Sequence, residues 1–268
     1  MTWSVLASAL GLLGLAGLLL GPVPRRLAAA QWPLRRPVAA LLLWQGIGLS
    51  AGLAVIGAGV VYALGTTSSG RWIALLGSAS VAGYLLTVTG LTAWRVVRQR
   101  RRHRTLLDLT GVAAPEWVLL DLTGVPAAEW GGVACRVLDH PVPMAYCLPG
   151  WRPRLVLTTA ILARLSPAEV RAVVAHEQAH LSQRHHLVVL PFAAWYAALR
   201  VLPGARYAYA AVALLIEAVA DDRARARAGT APLAGALHRL GSCAPGDVTS
   251  GGDLQMDRST LRRLQRLG

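Results

Sequence analysis

The sequence predicts a mainly α fold, with transmembrane helices at the N-terminus followed by a small α+β domain around a short antiparallel sheet. Three observations carry that expectation. The first third of the chain holds three long stretches without a charged residue, Met1–Pro24, Pro37–Gly70 and Trp72–Trp94. Short β-prone runs, separated by turn-rich segments, begin at Val133. Helix signals, including a well-formed N-cap, dominate from Ser166 onward. Composition agrees, since 54% of the 268 residues are hydrophobic, 15% are charged and the mean hydropathy is +0.47.

A bilayer span needs about 20 mostly apolar residues. Spans are therefore expected at about 3–22, 39–64 and 72–95, within a membrane domain of residues 1–104. The first has no basic segment ahead of its apolar core, and Arg25 and Arg26 follow it instead. It reads as a retained span, with a leader cleaved near "RRLAAAQ" as the lesser alternative. The net charge is +14, and all 27 basic residues are Arg. Arg25, Arg26, Arg35 and Arg36 lie between spans one and two, "RVVRQRRRHR" follows span three, and only Arg71 lies between spans two and three. By the positive-inside rule the N-terminus is outside, and the chain after Arg95 is cytoplasmic, in a multi-pass protein of the plasma membrane. The Arg run abuts a span and lacks interleaved aromatics. It is expected to meet the lipid bilayer, and no direct nucleic acid binding is expected. Cys135, Cys147 and Cys243 form no CxxC pair and read as small buried hydrophobes.

Residues 105–132 read as a linker carrying a tandem duplication, "LLDLTGVAAPEW" followed by "LLDLTGVPAAEW" with a period of 13. Two copies are too few for a solenoid. The second domain spans 133–268. In it "VACRVL", "MAYCL" and "RLVLTT" read as two or three antiparallel strands between the turns "DHPVP" and "PGWRP". Ser166, Pro167 and Glu169 then open a helix as N-cap, first position and capping-box partner, expected to run to about His186. Leu187–Leu202 is 16 residues long and contains Pro191 and Arg200, which is short for a span. The segment 187–204 reads as a membrane-dipping hairpin or a core helix. A further helix is expected from about Ala205 to Ala228, with Arg223, Arg225 and Arg227 near the end that the helix dipole favours for cations.

The stretch "AVVAHEQAHLSQRHH" at 172–186 poses the chemical question. A 3.6-residue stripe through Val170, Val173 and Val174 arrives at Glu177, then at His180 and Leu181, with His176 one step away. A buried carboxylate without a partner is costly, so something must compensate for it. His176-Glu177-Gln178-Ala179-His180 is H-E-x-x-H, and histidines at i and i+4 on one helix face can share a zinc ion. Glu177, about 100° around the helix, stands beside that ion as a general base for water. Glu217 is alone in the otherwise uncharged run Val212–Ala220 and is the candidate third ligand. Asp221 shares its face and is placed to orient a ligand histidine by hydrogen bonding. A fourth position is left for water, as a catalytic zinc site needs. His185 and His186 fall off the face of His180 and read as solvated or interfacial. His140, His238, Tyr207 and Tyr209 remain open as oxyanion stabilisers.

With these residues in place, "HPVPMAYCLPGWRPRLVLTTAILARLSPAEVRAVVAHEQAHLSQRHH" followed by "EAVADDRA" resembles the BlaR/MecR-type membrane zinc metallopeptidases. It resembles the CAAX prenyl protease type more loosely. The resemblance implies a gluzincin-like domain, with zinc held by His176, His180 and Glu217, Glu177 as catalytic base and Asp221 behind the ligands. It also implies that Ala145, Tyr146 and Cys147 form the strand edge to which a peptide substrate adds. The layout matches compact actinobacterial members, with neither the fourth span nor the penicillin-binding sensor domain of the antibiotic receptors. The function expected is a membrane-bound zinc endopeptidase with a cytoplasm-facing site, acting on a protein or peptide substrate, a transcriptional repressor among the candidates. Two other readings stand beside it, a non-catalytic zinc-binding signalling or scaffold protein and a site-2-type intramembrane protease. The second is disfavoured by Glu169, Arg171, Gln183 and Arg184 on the motif helix and by the absence of "LDG".

Overall fold

The computed structural model describes residues 3–110, 112–113, 133–241 and 258–267. In chain order these form α1 (Trp3–Leu20), α2 (Pro22–Ala29), α3 (Trp32–Arg35), α4 (Pro37–Leu64), α5 (Gly70–Thr110), β1 (Val112–Ala113), β2 (Ala134–Leu138), β3 (Ala145–Leu148) and β4 (Arg154–Thr158). There follow α6 (Thr159–Arg164), α7 (Pro167–Ser182), α8 (His185–Ala198), α9 (Pro203–Ala228), α10 (Thr230–Gly241) and α11 (Arg258–Leu267). The fold is mainly α with one short sheet. Two compact units divide it, Met1–Val97 with Leu187–Leu215, and Arg98–His186 with Ile216–Gly268.

Three helices, Trp3–Ala29 and Pro37–Leu64 of the first unit and Gly70–Leu106, which begins in it, are long and apolar enough to cross a membrane. Leu10, Leu18, Leu42, Leu49, Leu53, Leu76 and Leu86 point outward from them. An outer surface of leucine has no partner in water and suits a bilayer, so these helices support membrane association. Where α4 faces inward it is built from small residues, with Ala40, Gly48, Ala51, Ala54 and Ala58 buried at helical spacing. Small residues let helix backbones approach, and α1 packs on α4 through its own Ala9 and Ala16. Gly48 shows the constraint most sharply, because a Cβ there would collide with the Trp195 ring of α8. Three polar side chains in this unit find backbone partners. Gln45 donates to the Val188 carbonyl at 3.2 Å, Ser78 to Ile56 at 3.0 Å and Tyr84 to Ala198 at 3.0 Å. Thus 187–215 groups with the apolar helices and not with the sheet.

α5 differs from the expected span in running on through the Arg-rich segment to Thr110. Arg is a good helix former, and no Pro or Gly interrupts residues 91–110, so nothing local stops the helix. Most of the tandem duplication lies outside the described residues.

The second unit is organised by β4. The sheet order is β1-β2-β4-β3, with β2 and β4 parallel and the two outer pairings antiparallel. The sheet is therefore mixed, and not wholly antiparallel as expected. The reason lies in β4, whose Leu155, Val156 and Leu157 are all buried although they alternate faces. A strand apolar on both faces belongs at the centre. The hairpin of β3 and β4 consequently inserts β4 beside β2 and leaves β3 at the edge. Leu155 and Leu157 pack on Cys135, Ile161 and the α7 residues Val170, Val173 and Val174, while Val156 packs with Leu148, Leu138 and Tyr146. Thr158, fully buried, donates to Val142 and accepts from the Met144 and Ile161 amides, closing the strand and capping α6.

α7 opens with the capping box read from its sequence. Ser166 Oγ accepts from the Glu169 amide, and Glu169 Oε2 accepts from the Ser166 amide at 2.8 Å. Its second face, Ala172 and Ala175, packs against Ala224 of α9, Leu233 and Leu237 of α10 and Leu267 of α11. α7 ends at Ser182, four residues short of the expected end, because Arg184 adopts a left-handed φ of 50°.

Candidate metal centre

His176, Glu177 and His180 project from the last two turns of α7, a helix held on one face by the sheet and on the other by α9 and α10. Glu217 and Asp221 come from one face of α9, four residues apart. The imidazole Nε2 atoms of His176 and His180 are 3.1 Å apart, and Glu217 oxygens lie 3.2 Å from the first and 3.5 Å from the second. A tetrahedral ion with bonds of about 2.0–2.1 Å sets its donor atoms about 3.3 Å apart. The imidazole separation and the two carboxylate contacts, which fall on different Glu217 oxygens, lie around that edge length, and two imidazoles with one carboxylate are donors zinc accepts. His176, His180 and Glu217 therefore fit a metal ion as they stand.

Each ligand is held from behind. Asp221, 1% exposed, sets Oδ1 at 3.0 Å from His176 Nδ1, the nitrogen facing away from the centre. Burial and neighbouring charges shift these groups in different directions. Burial depresses His176, but Asp221 and Glu217 outweigh it and raise the imidazole to about 9. Burial, and then the charge on His176, lower His180 to about 4. Burial opposes ionisation of Glu217 and Asp221, yet hydrogen bonds and charges from His176 and Arg263 bring both down to about 2. A metal ion would displace the His176 proton and take its place as the positive charge.

Glu177 is half-buried beside this cluster, and desolvation pushes its carboxyl up to about 7 while His176 pulls it back. Its Oε2 accepts from the Cys147 amide at 3.1 Å. That contact connects the helix to the strand edge, because among the described residues β3 pairs with β4 on one side only. Thr158 donates to Met144, so the alternate residues Ala145 and Cys147 turn their backbone groups away from β4. Ala145 also lines a cavity of about 260 Å³ with His176, Glu177, Glu217, Leu237 and Arg263. Tyr146 points elsewhere, its hydroxyl 3.0 Å from His103 at the end of α5. The Cys147 thiol is raised far above its ordinary value by burial and by Glu177, and so is a poor nucleophile.

Two neighbours of the centre depart from the sequence reading: Arg263, which it did not single out, and His185, which it read as solvated or interfacial. Arg263 of α11 reaches Asp221 with two nitrogens, at 2.6 and 2.8 Å, and Glu217 at 3.1 Å. Nothing in "STLRRLQRL" distinguishes it from its neighbouring arginines, and the contact spans 42 residues. His185 is buried and lies 3.0 Å from His180 Nδ1. Among the residues left open, His140 serves its own turn, its Nδ1 accepting from the Val142 amide at 3.1 Å, and Tyr209 stacks on Tyr196.

Two imidazoles on one helix and a carboxylate on a second converge on one point beside a half-buried glutamate, a donor set that could hold a metal ion. The sequence model of peptidase family M48 matches residues 116–239, a stretch that contains all four of these side chains and Asp221. The match supports the M48 metallopeptidase family, and hence a metallopeptidase role, for this part of the chain. No curated protein and no solved structure matches the chain.

Proposed function

We propose that the protein is a membrane-bound zinc endopeptidase that hydrolyses peptide bonds of a protein substrate. The single observation that carries this reading is the convergence of His176, His180 and Glu217 at 3.1–3.5 Å with Glu177 beside them. His176, His180 and Glu217 would hold the ion, and Asp221 would orient His176 through Nδ1. When bound, zinc supplies Lewis acidity toward the scissile carbonyl and the attacking water. Glu177 would accept a proton from that water as the C–O bond forms and then return it to the amide nitrogen, so that the peptide C–N bond breaks and the amine departs. The Cys147 amide fixes Glu177 Oε2 and leaves Oε1 for the proton. An extended peptide would add to the open edge of β3 through the backbone of Ala145 and Cys147.

The finer assignments rest on sequence. The motifs around the site resemble the BlaR/MecR type, which points to regulatory proteolysis, with a transcriptional repressor among the candidate substrates. The Arg clusters at 25–36 and 95–104 support a cytoplasmic site by the positive-inside rule. The polar motif helix is not one of the helices apolar enough to cross a membrane among the described residues, which disfavours a site-2-type mechanism.

Glu177→Gln tests the proposal. The purified variant is expected to bind one zinc ion per chain as the native protein does, and to lose cleavage of a peptide library by roughly 10²–10⁴-fold. Persistent cleavage would remove Glu177 from the mechanism, and zinc binding without turnover by the native protein would favour the scaffold reading.

A further inference from the structure

His185 lies five residues beyond His180, and a continuous helix would turn it away from the metal-facing side by about 140°. The chain does otherwise. α7 stops at Ser182, Gln183 closes it, and Arg184 takes φ 50°, the only left-handed non-glycine residue among those described. Left-handed backbone strains an arginine and persists only where surrounding structure enforces it. Here it folds the chain back so that His185, 4% exposed, packs edge-on against His180 with ring centroids 4.9 Å apart. His185 Nδ1 stands 3.0 Å from His180 Nδ1, and His185 Nε2 stands 2.9 Å from the Gln183 side-chain oxygen.

With the Gln183 side-chain oxygen facing His185, one arrangement of protons satisfies both this chain of contacts and the proposed ligation. The Gln183 oxygen can only accept, so His185 carries its proton on Nε2 and donates it there. His185 Nδ1 is then a bare acceptor. It receives the proton on His180 Nδ1, which leaves the lone pair of His180 Nε2 facing Glu217 and His176. We infer that His185 is a positioning residue that selects the metal-binding tautomer of His180, with Gln183 fixing His185 and the turn at Arg184 bringing it into place. The inference rests on the metallopeptidase reading, because it supposes that His180 Nε2 binds the ion. It gives His180 what Asp221 gives His176. The two ligand imidazoles are thus met at Nδ1 by chemically different groups, one charged and one neutral.

Zinc affinity of the detergent-solubilised full chain tests the inference, read by competition with a chromophoric chelator and independent of turnover. Replacing the group behind a ligand histidine lowers metal affinity about 10–100-fold, and His185→Ala is expected to fall in that range. His185→Asn sets an amide oxygen where Nδ1 was, still an acceptor for His180 Nδ1–H, and is expected to recover most of the loss. Thermal unfolding of the two variants without metal controls for packing and should be alike. His185→Ala binding zinc as tightly as the native protein would overturn the inference while leaving the metallopeptidase reading intact. So would equal weakening in His185→Ala and His185→Asn, since acceptance of the proton would then be irrelevant. If His185→Ala does not fold, Gln183→Ala carries the same test, with a smaller loss of affinity expected and native affinity overturning the inference. A native protein that binds no zinc would instead refute the metallopeptidase reading itself.

Discussion

Two acids on one face of α9 act on His176 from different sides, and their surroundings divide their roles. Glu217 is partly exposed and faces the two Nε2 atoms, whereas Asp221 is sealed behind His176 and paired with Arg263. Replacing a ligand and replacing its support should therefore differ in degree. Glu217→Ala is expected to abolish stoichiometric zinc, measured by metal analysis of the purified chain. Asp221→Asn is expected to keep zinc with affinity lowered about 10–100-fold. Arg263 has a different part, since it balances a carboxylate that is almost wholly buried. Removing one partner of a buried pair costs about 3–5 kcal/mol, so Arg263→Ala should lower thermal stability even without metal. Arg263→Lys should recover little, because a single ammonium cannot replace the two-pronged contact with Asp221.

At the scale of elements, α7 is the frame on which the site depends, and its start and its sheet-facing side are separately testable. Burial opposes ionisation of Glu169, but hydrogen bonds from Ser166 and the charge of Arg239 prevail and hold its carboxyl below the ordinary value. A carboxyl depressed by folding stabilises the protein above its unfolded pKa. That stabilisation is lost as pH falls through the folded value. Native stability should therefore decline on the acid side below about pH 4.3, the ordinary value for Glu. Glu169→Gln should flatten that limb in unfolding curves measured across pH. Leu157→Ala empties a site shared by β4 and α7 and is expected to cost about 2–5 kcal/mol, with loss of zinc affinity following as the frame loosens. The turn after α7 belongs to this scale too. Arg184→Gly relieves the left-handed residue, whereas Arg184→Val, being β-branched, resists it and should weaken zinc binding.

Across the whole molecule, the two units have different solvents and should respond to different perturbations. The leucine-faced helices of the first unit predict that the protein stays with membranes through high-salt and alkaline washing and is released by detergent. Zinc should act on the second unit. A ligand at 100 times its Kd stabilises by about 2.7 kcal/mol, so saturating zinc should raise the unfolding temperature, and a chelator should reverse the rise. The His176→Ala variant should show neither change.

Sequence alone determined whatever depends on composition, period and local chemistry. Uncharged runs marked the apolar helices, Ser166 and Glu169 marked the start of α7, and H-E-x-x-H with a lone acid at 217 marked the residues that converge. Each of those signals lies within one element and is written in a few neighbouring side chains. Tertiary structure decided what depends on where elements meet. β4 became central, and the sheet mixed, because only the full packing shows both of its faces to be covered. Arg263 reached Asp221 across 42 residues that no periodicity connects. His185 came to His180 through one backbone angle at Arg184, a residue whose identity gives no warning of it. A helical stripe repeats along the chain and can be read from it, whereas a single turn or a distant contact exists only once the chain has closed on itself.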